Sequence, residues 1–265
     1  MAEHRSEAER DGGVVAHRVW VEAVPGAGRA EIVGDEAHHA VRVKRIGVGE
    51  AVELFDGRGM LNRGVVAEAA GGKNPVLTVH VGGPAQRVEP VRPRIEVWCP
   101  APKGERAEWM IDQLSQVGAS AWRALRTERT QGDAVVRRAD RLERAAVESA
   151  KQCGRAWMVE VDAEPVGLDA ASAETRGAAG RDPGAWVCVA DGSGPGLSQA
   201  DGVAARDAGR VVLVLGPEGG LTREEIATCA RAGAVVRSFG PHVMRIETAA
   251  VVSAAGVRHA GAGQA

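Results

Sequence analysis

Residues Val211 to Leu215 read VVLVL, five consecutive apolar positions that stop at Gly216-Pro217. A strand with one wet face alternates apolar and polar residues. One that is apolar throughout must be covered on both faces, as in a parallel sheet sandwiched between helices. The run continues into GPEGGLTREEI (Gly216 to Ile226), a bare Gly/Pro loop followed by Thr222 and Glu225 at capping-box spacing, so a helix begins where the loop ends. The pattern recurs in FGPHVMRIETAAVVSAAG (Phe239 to Gly256), with a helix expected from near Glu247 through Ala250, Val251 and Ala254. Such loops leave main-chain N–H and C=O groups open to a ligand. Two of them this close in sequence predict one pocket built from both, with chemistry in it.

The same strand–helix rhythm runs back to Ile95. IEVWCPAP (Ile95 to Pro102) reads as a strand, and Met110, Leu114 and Val117 mark a helix over Ala107 to Val117. AWRALRT (Ala121 to Thr127) is a strand, and a long helix is expected from Ala134 to Gln152. WVCVADGSG (Trp186 to Gly194) and AVVRSFG (Ala234 to Gly240) complete a set of buried strands, with loop at Gly177 to Gly184 and across DPGAW. The fold class is α/β, a parallel sheet covered on both faces.

Before Ile95 the grammar differs. HRVWVEAV (His17 to Val24), AVELFDGRG (Ala51 to Gly59, with an Asp56-Gly57 turn) and NRGVVAEAAGGKNPVLTVHVG give short strands punctuated by turns. DEAHHAVRVKRIGVGE (Asp35 to Glu50) begins like a capped short helix. Several strands in about seventy residues predict a small β-barrel. GGPAQRVEPVRPR (Gly82 to Arg94), with three prolines, marks the domain boundary. The expected division is a disordered lead over 1–13, a barrel over 14–85 and the α/β domain over 86–265.

With 45% apolar and 26% charged residues in 265, the chain has the composition of an ordinary globular protein. No apolar run approaches the roughly 20 residues of a membrane span, and MAEHRSEAERDGG lacks the apolar core of a secretory signal. A cytoplasmic protein is expected. Cys99, Cys153, Cys188 and Cys229 form no C-x-x-C pair, and three of them sit in or beside apolar segments, which fits reduced, buried thiols. His38 and His39, taken as strand neighbours, point to opposite faces and do not share a metal. A net charge of −2 means that a nucleic-acid partner would be held by local patches.

GPEGG has no Lys-Ser or Lys-Thr after it, which disfavours a Walker-type nucleotide loop. DGSGPG (Asp191 to Gly196) is a weak dinucleotide fingerprint, since it contains a proline and no helix is expected immediately after it. Following consecutive strands, both loops belong at the carboxyl edge of a parallel sheet, where α/β proteins bind ligands.

LGPEGGLTREE followed by FGPHVMRIETAAVVSA resembles the two cofactor loops of the SPOUT methyltransferases, and within them the RsmE family. KGERAEWMIDQLSQVGA (Lys103 to Ala119), TERT (Thr127 to Thr130) and ESAKQCGR (Glu148 to Arg155) are similar to further family segments. HHAVRVKRIGVGE with LFDGRG is similar to the family's N-terminal PUA-like barrel. The resemblance covers nearly everything after residue 16. It implies an S-adenosylmethionine-dependent enzyme that methylates the N3 ring nitrogen of a uridine in 16S small-subunit ribosomal RNA. It further implies a C-terminal trefoil knot and a homodimer with the pocket near the subunit interface.

On that resemblance, Leu215, Gly216, Pro217, Glu218, Gly219 and Gly220 form one wall of the cofactor site, and Phe239, Gly240, Val243, Met244, Arg245 and Thr248 the other, with Ala190 and Asp191 as floor. Glu218 either reaches a ribose hydroxyl or stabilises the following helix start. Met244 is assigned to packing. N3 of uracil must lose its proton to be a nucleophile, and a neighbouring arginine favours the anion; Arg245 is the first choice and Arg18 the second. Glu247 is either a base or, the preferred reading, a structural carboxylate at the helix start, which Thr248 caps or orients. The methyl donor is already activated as a sulfonium, so no metal is expected. RNA contacts are assigned to Arg42, Lys44 and Arg45 on the barrel and to Arg126 and Arg129, with Arg137, Arg138, Arg141 and Arg144 as weaker candidates. The family usually has arginine where this chain has His242, which makes an RNA contact there weaker or pH-dependent.

Other readings fit less well. SPOUT enzymes that methylate a ribose 2′-oxygen usually carry a Ser-Leu-Asn motif that Arg245-Ile246-Glu247-Thr248 does not match. An RNA-binding assembly factor without a cofactor has no need of intact Gly loops. A dehydrogenase would need an acidic ribose-binding residue at fingerprint spacing.

Overall fold

A computed structural model describes residues 17–130, 136–173 and 185–261. The expected lead, the first two residues of the long helix and the whole Gly177 to Gly184 loop lie outside the described residues. The chain divides into two units, the first running to Pro90 and including Gly154–Trp157, the second taking Val91–Cys153 and Met158 onward.

The first unit is a six-stranded sheet. Its strands are β1 (His17–Trp20), β2 (Gly28–Ile32), β3 (Ala51–Phe55), β4 (Met60–Ala70), β5 (Val76–Val81) and β6 (Gln86–Arg87). The order is β1-β3-β4-β5-β2, with β6 on β4; β1 and β3 are parallel and the other pairs antiparallel. Alternate residues Val52 and Leu54, and Leu77, Val79 and Val81, are buried in one core. The Asp56-Gly57 turn forms as expected: Asp56 Oδ1 accepts from the Arg58 and Met60 N–H groups, and Gly57 takes φ +71°. α1 (Gly34–His38) passes into a π-turn over His39–Val43. Two expectations fail there. The helix cap is Val33, with no side-chain bond, because Asp35 already stands in the first turn; and His38 and His39 are helical, not strand neighbours.

The second unit is built on six parallel strands: β7 (Arg94–Cys99), β8 (Ala121–Arg126), β9 (Glu160–Gly167), β10 (Ala185–Ala190), β11 (Arg210–Leu215) and β12 (Val235–Arg237). Their order is β12-β10-β11-β7-β8-β9. The helices are α2 (Arg106–Gln116), α3 (Ala139–Cys153, after a 3-10 turn at Val136–Arg138), α4 (Gln199–Asp207), α5 (Arg223–Arg231) and α6 (Ile246–Gly261). Both faces are covered. Ile95, Val97, Val211, Leu213 and Leu215 share a core with residues of α2, α3 and α6. Trp98, Val212 and Val214 face the other way, onto Leu168, Ala171 and Cys229.

Three features depart from the sequence reading. Glu160–Gly167 is a strand although its mixed, charged sequence gives no apolar run, because it forms the exposed edge beside β8. β12 is the opposite edge; it spans three half-buried residues and is not a buried strand. The DGSGPG turn is followed almost at once by a helix, α4, whose Ser198/Asp201 capping box starts it two residues after Gly196.

Candidate functional site: a cleft and a cationic groove at the carboxyl edge of the sheet

Because β10 lies between β11 and β12, the loops that leave these three parallel strands emerge side by side. The loop after β10 is stitched to the one after β12: the Asp191 N–H donates to the Arg237 carbonyl (3.0 Å), Ser238 N–H to Pro195 (2.8 Å) and Leu197 N–H to Ser238 (3.2 Å). Gly194 has no room for a side chain, since a Cβ there would meet the Val236 carbonyl oxygen at 2.6 Å. The loop after β11 folds back on itself through Gly220 N–H to the Pro217 carbonyl (2.7 Å), with Gly220 at φ +69°. A Cβ on Gly216 would lie 2.6 Å from the Leu221 nitrogen. The predicted Thr222/Glu225 capping box then starts α5.

Between these loops lies a cleft of about 490 Å³. Of the residues assigned to a cofactor, Ala190, Asp191, Leu215, Gly216, Pro217, Glu218, Gly219, Gly220, Phe239, Gly240, Val243 and Met244 all line it. Arg245 and Thr248 do not. Arg245 is exposed, next in sequence to the lining residues Met244 and Ile246. Thr248 is exposed within the first turn of a helix that begins at Ile246, and so does not cap it. His242, assigned to RNA, is part of the lining. Sequence reading missed Gly192, Ser238, Pro241 and a stripe on α6 formed by Ile246, Ala249 and Ser253. The helical spacing of those last three is the signal that was available. Ser253 is fully buried and its Oγ has no hydrogen-bond partner among the described residues, so the cleft wall contains an unsatisfied polar atom.

Glu247 is 5% exposed. Its Oε1 lies 3.3 Å from Nη1 of Arg106, in the first turn of α2, and its Oε2 has no partner among the described residues. It does not line the cleft, and its contacts are those of the structural carboxylate. The same Arg106 nitrogen lies 3.8 Å from Glu218, whose side chain is 59% exposed. Arg106 therefore ties the two loops together, a role that its place in the KGER segment did not disclose. Arg18 belongs to the first unit, where its guanidinium bonds Glu53 (2.8 Å) and the Arg155 carbonyl (2.9 Å) and stacks 4.4 Å from the Phe55 ring. With those bonds in place, Arg18 reads as a packing residue of its own sheet.

A second, larger depression of about 1330 Å³ adjoins the cleft and shares Pro217, Glu218 and Gly219 with it. Lys103, Arg106, Arg126, Arg129, Arg138 and Arg141 line it against Glu105, Glu108, Glu128 and Glu218. The groove thus concentrates positive charge in a chain that is slightly acidic overall. Arg126, Arg129 and Arg141, all assigned to RNA from the sequence, share this lining, while Arg137 and Arg144 are exposed elsewhere on the 3-10 turn and α3. Arg138 is held by the Gly104 carbonyl and by Glu108 (2.9 Å). In the first unit Arg42, Lys44 and Arg45 are exposed on the turn after α1; Arg42 bonds the Gly72 carbonyl (2.9 Å) and Arg45 has φ +56°.

Among the described residues no group of three His, Cys, Asp or Glu is placed to hold a metal, and no helix is long and apolar enough to cross a membrane. Cys99 and Cys188 are buried thiols whose pKa burial pushes up to about 12, so they are not nucleophiles at neutral pH.

Residues 89–258 match the family model of an RNA methyltransferase domain, and residues 32–79 that of an RNA methyltransferase PUA domain. A ribosomal RNA small subunit methyltransferase E of Mycobacterium bovis is 36% identical over 248 residues, 91% of this chain and 90% of that one. Its Synechocystis namesake is 29% identical, covering 83% of this chain and 69% of the relative. The crystal structure of the Neisseria gonorrhoeae enzyme of that name, bound to S-adenosyl methionine, superposes with a TM-score of 0.76 at 19% identity, covering 92% of this chain and 97% of that one; it supports the SPOUT-type fold. With one model spanning the parallel-sheet unit and relatives running nearly end to end, the chain belongs to the ribosomal RNA small subunit methyltransferase E family.

Proposed function

We propose that this protein transfers a methyl group from S-adenosylmethionine to N3 of a uridine in 16S ribosomal RNA, with uridine 1498 as the target. One juxtaposition carries the reading: a cleft lined by loop backbone and a cationic groove that share the wall Pro217–Gly219. The residues present fit the cofactor. Gly216 leaves backbone bare where a side chain would clash, and Ser253 Oγ is an unpartnered polar atom in the cleft wall among the described residues. When bound, the cofactor supplies a methyl group already activated as a sulfonium.

The chain's own residues then have two tasks. The loops after β10, β11 and β12 hold the donor, and the groove arginines hold RNA phosphates, bringing the two reactants together. Such positioning is worth roughly 7–11 kcal/mol of barrier when alignment is good. Arg245 stands at the exposed end of the second loop, where a fixed positive charge favours the deprotonated imide. Glu247, buried and paired with Arg106, supports that loop. The target base must come from an unstacked segment to present its Watson–Crick edge. A homodimer, threading of the Ser238–Arg245 segment as a trefoil knot, and a contribution from Arg42, Lys44 and Arg45 to RNA binding belong to the same proposal.

Mass spectrometric mapping of methylated uridine in small-subunit RNA, with and without the protein, tests it. The N3-methyl product is expected only with the active chain, and Arg245→Ala is expected to abolish it while leaving the unfolding midpoint unchanged. An unmodified uridine in the presence of folded protein and donor overturns the assignment.

A further inference from the structure

In the turn after β8, Glu128, Arg129 and Thr130 line the groove, yet the turn also bonds the loop after β11 and the helix that follows that loop. It is braced internally: the Thr127 N–H donates to Thr130 Oγ1 (2.9 Å) and the two threonine hydroxyls lie 2.9 Å apart. From this stiff turn the Glu128 N–H donates to Glu225 Oε1 (2.7 Å), the carboxylate whose other oxygen accepts from Thr222 and starts α5. Arg129 sends Nη1 to the Gly219 carbonyl (2.5 Å), and its Cδ would touch a Cβ on Gly219 at 3.3 Å. Gly219 belongs to the wall shared by groove and cleft. Arg129 is exposed, and its other N–H groups have no protein partner among the described residues.

A guanidinium offers five donors in a rigid fork, so it can hold a carbonyl with one and a phosphate with the others at the same time. We propose that Arg129 is a positioning residue that couples the two depressions: an RNA phosphate bound on its free side locks it onto the Gly219 carbonyl and stiffens the Leu215–Gly220 loop around the cofactor. Coupling of this kind is reciprocal, so a filled cleft raises RNA affinity by the same factor. The proposal rests on the reading of the groove as the RNA site, and it assigns to Arg129 a role beyond phosphate contact.

Calorimetry on the full chain tests it, with S-adenosylhomocysteine as a ligand that cannot turn over and a uridine-rich RNA oligonucleotide. Wild-type protein is expected to bind S-adenosylhomocysteine about tenfold more tightly when saturated with RNA, and RNA about tenfold more tightly when saturated with S-adenosylhomocysteine, within the usual range of such couplings. In Arg129→Lys, whose ammonium reaches the carbonyl or a phosphate but does not fork between them, RNA affinity is largely kept while the coupling falls to within about twofold. Arg129→Ala loses the coupling and part of the RNA affinity. A charge that merely attracts RNA would leave the coupling in Arg129→Lys at the wild-type value, and that result overturns the proposal. So does wild-type protein that binds both ligands without coupling. Failure of the wild-type chain to bind S-adenosylhomocysteine at all would instead remove the proposed function, and this inference with it.

Discussion

A side chain on Gly216 would have nowhere to go, because the atoms it meets are the Leu221 nitrogen and the Gly220 carbonyl carbon, backbone on both counts. Gly216→Ala should therefore force the cofactor loop open, at roughly the 1–3 kcal/mol that overpacking costs. The expected result is a lower unfolding midpoint together with a fall of about tenfold or more in S-adenosylmethionine affinity, read by calorimetry. Arg106 and Glu247 make a different case. Removing Arg106 leaves a buried carboxylate with no counter-charge, whereas Glu247→Gln removes the charge that needed one. With Arg106 itself 37% exposed, water screens part of the pair, so Arg106→Ala should cost about 1–3 kcal/mol and Glu247→Gln less. Urea unfolding of the two variants checks the order. The glycines were legible in the sequence because bare loops advertise themselves. Arg106 was not, since its partner lies 141 positions away and nothing local marks the pairing.

Strands and helices were legible in proportion to their burial. β11, central and covered on both faces, shows as an apolar run, and β7 beside it carries Glu96 among its apolar residues, paired with Arg94 and Arg210; β9, at the edge, reads as a mixture. α4 was missed for want of a long apolar stripe, although its Ser198/Asp201 box is a start signal of the same kind as the one recognised at Thr222. That box has a pH signature. Asp201 accepts from Arg237 (2.7 Å) and from Ser198, and these bonds, the Arg237 one first, outweigh burial and hold its pKa at about 2, below the ordinary 3.8. A carboxylate depressed on folding stabilises the protein above its unfolded pKa. That stability should be lost as pH falls from about 4 to about 2, up to about 2 kcal/mol in all. Asp201→Asn should flatten this part of the stability–pH curve, as acid unfolding monitored by circular dichroism would show.

At the scale of the molecule, a slightly acidic chain concentrates cations in the groove of the parallel-sheet unit and on the turn at Arg42–Arg45 of the other. Oligonucleotide affinity should accordingly fall steeply with salt, by about 0.7 log units per phosphate contact for each log unit of salt. Under the proposed function loop backbone holds S-adenosylmethionine, which should then bind almost independently of ionic strength; titrations between low and physiological salt separate the two. The stitched loops after β10 and β12 have a further consequence for how the cleft is assembled. Half of its lining comes from Ser238 to Ser253, beyond the last strand of the second sheet. A chain cut back to Arg237 would keep every strand of both sheets and lose that half of the cleft. Under the proposed function, donor occupancy thus reports that α6 has docked, and every bound molecule adds ligand-linked stability to the segment from Ser238 to Ser253.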